Sequence, residues 1–194
     1  AHAKGALVYA DIIQAVGAMP VDLRAAGVDF AAAASFKWLM GDFGLGFLYT
    51  RKDHLGRTLQ RPLHGYRQAH SEYHLLPHEG TGKRFVEFEP GQDAAAYFEV
   101  SSTASIVAAA LGASLGYIQG LGVETIAAHR KPMLERLRRE MPRLGFTCLT
   151  PEGARGPLIV FSKQNAAQTY GAKLQAAKVD VSVYPHRIRI SPSV

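Results

Sequence analysis

Cysteine is almost missing from this chain: Cys148 is the only one among 194 residues, so no internal disulfide can form. Long apolar runs are missing too, and none approaches the length needed to cross a bilayer, so a membrane protein is not expected. No charged-then-apolar leader opens the sequence, and with a lone cysteine a reducing cytoplasm is the expected compartment. What is there, 47% hydrophobic and 20% charged residues, suits an ordinary folded domain long enough for one sizeable core or for one core and a small second one. The net charge of +6 invites a search for an anionic partner. The basic run Arg130, Lys131, Arg136, Arg138, Arg139 and Arg143 is interspersed with Leu134, Glu135, Leu137 and Glu140 at helical spacing, so it reads as an exposed amphipathic face rather than a nucleic-acid patch. Neither nucleic acid nor membrane is an expected partner. Both ends look cut: Ala-His-Ala-Lys-Gly resembles a last helical turn with a glycine cap, and Ser-Pro-Ser-Val follows directly on a strand-like run. A piece of a longer protein is expected.

The apolar pattern predicts strands over residues 6–10, 30–34 and 46–50, all read as buried parallel strands, with Asp11 and Ser35 at their carboxyl ends. Residues 55–92, rich in His, Arg, Gly and Pro, read as a long functional loop. A small-residue helix over 103–119, apolar nearly all round, is expected to be buried, and residues 123–141 to form an amphipathic helix. Beyond Pro142 come strand patterns at 146–149, 158–162, 181–184 and 187–191 and a helix at 166–178, a small α+β lobe. The expected fold is α/β, a mainly parallel sheet in residues 1–142 followed by a small α+β unit in 143–194.

Lys37 follows an apolar strand and precedes Trp38-Leu39-Met40-Gly41-Asp42-Phe43-Gly44-Leu45-Gly46. A lysine there is expected to be partly desolvated, which disfavours the ammonium form and frees a nucleophilic amine. Taken alone it also reads as a snorkelling surface residue. Asp11 at a strand end is suited to pair with a protonated pyridine nitrogen, though taken alone it reads first as a helix cap; Gln14 stands on the same side if a helical turn follows.

The run Tyr9-Ala10-Asp11-Ile12-Ile13-Gln14-Ala15-Val16-Gly17, then Val28-Asp29-Phe30, Ala34-Ser35-Phe36-Lys37-Trp38 and Gly44-Leu45-Gly46, resembles in order and spacing the class V aminotransferase and cysteine desulfurase-like family of pyridoxal 5'-phosphate enzymes. The resemblance implies the fold-type-I architecture and a homodimer with shared sites. It makes Lys37 the Schiff-base lysine and proton carrier, Asp11 the partner of the pyridinium nitrogen, Gln14 a contact to the phenolic oxygen and Ser35 a phosphate contact. Phe98-Glu99-Val100-Ser101-Ser102 is similar to the segment that lends a hydroxyl to the neighbouring subunit's cofactor phosphate, with Ser102 at that position. Arg187-Ile188-Arg189-Ile190-Ser191 is similar to the strand whose arginine, here Arg189, clamps the substrate α-carboxylate, a task suited to a guanidinium fork.

The sequence departs from the desulfurase branch in two places. Phe36 stands where that branch has histidine, an aromatic choice similar to kynureninase-like members, and no cysteine lies between Val183 and Arg187; Cys148 reads as a buried small residue. Transamination, epimerisation and elimination on an amino-acid substrate all stay open, as does a non-catalytic scaffold. The family's phosphate loop and ring-stacking residue are expected before Ala1, so this piece is not expected to be competent alone. His64, His70, His74 and His78 have partial metal-ligand spacing, but Gly65, Pro77 and Gly80 break the helix it needs, and no metal is expected.

Overall fold

The structure is a computed structural model that describes residues 1–61, 64–70 and 89–193. It opens with a 3₁₀ turn, His2–Lys4, closed by Gly5 at φ 72°, in line with the capped turn expected there. Strand β1 covers Tyr9–Asp11, later than the predicted 6–10 but ending at the same aspartate, and β2 covers Phe30–Ala34. The two run parallel, with Tyr9 opposite Phe30 and Asp11 opposite Ala32. Strand β3, Gly46–Thr50, pairs antiparallel with β2, Gly46 opposite Ala34. The parallel direction expected of β3 is therefore corrected: the link 35–45 holds no crossover helix, and without one the chain returns the way it came.

This sheet has its own core of Ile12, Val28, Ala31 and Ala33. At its far edge from Lys37, the fully buried Asp29 gathers three hydrogen-bond donors and an ion-pair partner: Oδ2 accepts from His2 Nε2 at 2.6 Å and Val8 N at 2.7 Å, Oδ1 accepts from His54 Nε2 at 2.8 Å, and Arg51 Nη1 lies 3.0 Å from Oδ1 as a salt bridge. The histidine His2 bond first, then those from Val8 and His54, hold the Asp29 carboxyl far below the usual carboxylate range. One side chain thus ties the opening turn, β1, β2 and the segment after β3 together.

A short antiparallel pair, β4 (Ala69–His70) with β5 (Glu89–Pro90), lies within the predicted loop region. Helix α1, Ala94–Phe98, is capped by Asp93, whose Oδ1 accepts from Ala96 N at 2.8 Å. Helix α2 spans Ser105–Leu121 and α3 spans Val123–Glu140, hinged at Gly122 with φ 80°. The expectation that α2 is buried is corrected: Ile118 is its only buried residue, while Ile106 is 85% and Tyr117 59% exposed. Composition reports how apolar a helix is, not what covers it. No single helix among the described residues is long and apolar enough to cross a membrane.

After a 3₁₀ turn at Met141–Leu144 the chain builds a four-stranded antiparallel sheet in the order β6-β7-β9-β8, where β6 is Thr147–Cys148, β7 Ile159–Ser162, β8 Ser182–Tyr184 and β9 Arg187–Ile190. Helix α4, Ala166–Ala176, covers one face. The core here is Phe146, Ile159, Phe161, Ala166 and Ile188, and Leu134 and Leu137 of α3 pack against it.

Because Asp29 is ionised in the folded chain at pH values where an unfolded aspartate is protonated, its contribution to stability is present above about pH 4 and lost as pH falls below it. Urea midpoints measured from pH 7 down to pH 3 are expected to show the Asp29→Asn protein less stable at neutral pH, with the gap to wild type closing on acidification. A gap of constant size across that range contradicts this account.

Candidate active site

Parallel pairing brings the carboxyl ends of β1 and β2 side by side, the place where ligands collect in open α/β sheets. Asp11 closes β1, Ile12 N donates to Ala32 O at 2.9 Å, and Ser35-Phe36-Lys37 leaves β2 beside them. Lys37 stands exposed on the 35–45 link, so the desolvation expected of it is not supplied by the described residues of this chain. The link itself is firmly held. Ser35 N donates to Leu45 O at 3.0 Å, and the buried Ser35 hydroxyl faces Asp42 O at 2.8 Å and Leu45 O at 3.0 Å, with one proton to give to either. Gly41 N returns to Ser35 O at 2.9 Å, and a Cβ on Gly41 would lie 2.6 Å from Ser35 Cβ. Gly17, at φ 79°, brings the turn after β1 so close that a Cβ there would lie 2.4 Å from Trp38 O.

Trp38 Nε1 donates to Gln14 Oε1 at 2.9 Å. An indole N–H is only a donor, so it fixes which end of the amide is oxygen and leaves the Gln14 NH₂ to donate elsewhere. Asp11 Oδ1 accepts from Ile13 N at 3.0 Å, which orients its exposed carboxylate at the strand end. An amine, a carboxylate and a donor amide therefore share one edge of the sheet, and this donor set fits a ring with an aldehyde, a basic nitrogen and a phenolic oxygen. On the same edge Phe36 stacks on Phe43 at 4.6 Å, with Phe43 73% exposed.

The structure brings Asp11, Gln14, Ser35 and Lys37 together; Ser102 and Arg189 make no hydrogen bond to them among the described residues. Ser102 is exposed and precedes α2, whose N-cap is Ala104, so it does not cap the helix. Its hydroxyl bonds the Tyr66 hydroxyl, and Arg67 Nη1 donates to the adjacent Thr103 Oγ1 at 3.1 Å. Arg189 sits in β9 between Val160 and Ser182, on the sheet face opposite core residue Ile188. Its Nη2 donates to Ser182 Oγ at 3.0 Å, while its buried Nε has no partner among the described residues. Of the histidines with metal-ligand spacing, His74 and His78 lie outside the described residues; no group of three His, Cys, Asp or Glu suited to a metal occurs among those described.

Sequence reasoning missed Trp38 as the residue that orients Gln14, and misread Arg130. Expected on an exposed face, Arg130 is only 2% exposed. Its guanidinium lies 4.7 Å over the Trp38 ring, Nη1 donates to Ala18 O at 3.0 Å and Nε to Pro192 O at 3.2 Å. Burial without a carboxylate pushes its guanidinium pKa down. The signal was present: Ile126, Arg130, Leu134 and Leu137 fall on one stripe of α3, so the arginine interrupts an apolar face.

The model of the aminotransferase class-V family matches residues 1–186. A probable cysteine desulfurase of Methanothermobacter thermautotrophicus is 34% identical over 76% of this chain and 34% of its own length. The uncharacterized aminotransferase YcbU of Bacillus subtilis is 26% identical over 97% of this chain and 47% of its own. Among solved structures, the cystine C–S lyase C-DES in complex with its reaction product cysteine persulfide superposes with a TM-score of 0.70 and 25% identity, over 93% of this chain and 46% of that one. The chain thus spans about half or less of the length of each of these. With a carboxylate, an amide and a lysine on the shared strand edge and a family model matched over nearly its whole length, this chain belongs to the aminotransferase class-V family of pyridoxal 5'-phosphate enzymes and has their type I fold.

Proposed function

We propose that the protein containing this chain is a pyridoxal 5'-phosphate enzyme acting on an amino acid, with Lys37 as the point of covalent attachment. The observation that carries this reading is the Trp38–Gln14 bond, which leaves the Gln14 NH₂ to donate at the strand ends where Asp11 and the exposed Lys37 stand. When bound, the cofactor supplies an electron sink for the bonds at the substrate α-carbon. The Asp11 carboxylate would keep a ring nitrogen protonated, and Gln14 Nε2 would donate to the phenolic oxygen. Lys37 Nζ would hold and move the proton at the substrate α-carbon. Ser35 serves this edge by holding the lysine link; a phosphate contact from its hydroxyl requires a turn away from Asp42 O and Leu45 O. Arg189, held through Nη2 by Ser182 Oγ, would offer its remaining guanidinium donors to the substrate carboxylate.

Transamination, or a related epimerase or lyase step, is the chemistry we assign. A persulfide route through this chain's cysteine is disfavoured, because Cys148 lies half-buried in β6 and donates to Thr150 O at 3.5 Å, away from the link that precedes β9. We further propose units at residues 1–142 and 143–194, in keeping with two separate sheets and cores, and a cytoplasmic location consistent with the lone cysteine. The uncovered apolar side chains of α2, contiguous with Ser102, favour a homodimer in which Ser102 reaches the partner's phosphate.

The Lys37→Ala protein is expected to lose the visible absorption of covalently held cofactor; retention of that band contradicts the assignment. Arg189→Ala is expected to raise KM for the amino acid about tenfold or more while the cofactor spectrum stays unchanged, and an unaltered KM removes Arg189 from its role. Sedimentation is expected to give twice the chain mass, with Ile106→Asp shifting the protein toward monomer; an active monomer in the wild type rules out shared sites.

A further inference from the structure

Between α3 and the 150–158 segment that joins β6 to β7 lies a cleft of about 650 Å³, within the ~300–1,000 Å³ typical of small-molecule sites. Arg130 lines it from the buried side. Its guanidinium is fixed by Ala18 O, Pro192 O and the Trp38 ring, yet among the described residues its buried Nη2 has no hydrogen-bond partner and no carboxylate pairs with it. A buried cation with an open donor is costly unless an acceptor meets it.

The remaining charges define the acceptor. Lys131 pairs with Glu135 at 3.8 Å, and Arg138 is occupied by Thr150 O at 3.0 Å and Pro151 O at 3.2 Å. At the exposed rim Arg155 and Glu152 offset each other in charge. Arg138, too, has no carboxylate among the described residues, but carbonyls occupy its Nη1 and Nη2, so the buried donor left open at the inner end is Arg130 Nη2, and a planar carboxylate suits it. Met19, Leu134, Leu158 and Ile159 supply apolar wall. We infer that this cleft is a binding site for a small monocarboxylate with an apolar body, separate from the Lys37 edge. Such a ligand would press on the same guanidinium that supports Trp38, and through it Gln14.

The test is calorimetric titration of the full-length, cofactor-loaded protein carrying Arg189→Ala, so that the proposed substrate clamp takes no part. Benzoate is the probe, with neutral benzamide and inorganic phosphate as controls. Benzoate is expected to bind, benzamide to bind about tenfold more weakly or worse, and phosphate to bind no tighter than benzoate. Adding Arg130→Gln is expected to weaken benzoate about tenfold or more. Should that variant not fold, Ala154→Trp, placed on the exposed wall away from Arg130, fills the cleft and is expected to abolish binding. The inference is overturned if benzoate fails to bind in the Arg189→Ala protein, if benzamide binds equally well, if phosphate binds tighter, or if Ala154→Trp leaves benzoate binding unchanged.

Discussion

The placing of Gln14 and of the backbone beside Lys37 depends on how Trp38 is held. Its indole N–H fixes Gln14, its carbonyl lies against Gly17, and its ring lies beneath the guanidinium of Arg130. The residue next to the lysine is thereby pinned by the turn after β1, by α3 and, through Pro192 O, by the chain that leaves the Arg189 strand. Lys37 can stay exposed because its neighbours, not its own contacts, determine where it stands.

The same arrangement has an energetic weakness. A buried guanidinium with no carboxylate partner among the described residues is stabilised by two carbonyls and an aromatic face, each modest, against the loss of hydration. Asp29 at the opposite end of β2 is the reverse case, a buried carboxylate met by three hydrogen-bond donors and the Arg51 guanidinium. One end of the sheet is electrostatically satisfied and fixes the scaffold; the other retains open donors and acceptors, as a site for a polar ligand must.

Much of this was legible in the sequence because local chemistry and fold agreed. The strand at 30–34, the aspartate ending β1 and the lysine following β2 are written in short apolar runs with polar ends. What was not legible depended on partners far along the chain. The direction of β3 follows from what the 35–45 link builds, not from the composition of the strand. The exposure of α2 reflects what does or does not cover it, which its own residues cannot state. Arg130 was hidden in a basic run, and only its place on the Ile126–Leu134–Leu137 stripe distinguished it from the exposed Lys131 and Arg139. Ser35 was read by its position at a strand end, whereas its hydroxyl direction depends on carbonyls at Asp42 and Leu45 that only the folded loop brings back to it.

The central claim is that one lysine of this chain, Lys37, carries the cofactor. Borohydride reduction of the full-length protein, proteolysis and mass spectrometry of the peptides test it directly. The account predicts a pyridoxyl-phosphate mass on the peptide containing Lys37 and on no other; the same mass on Lys52 or Lys163, or on no peptide of this chain, would contradict it.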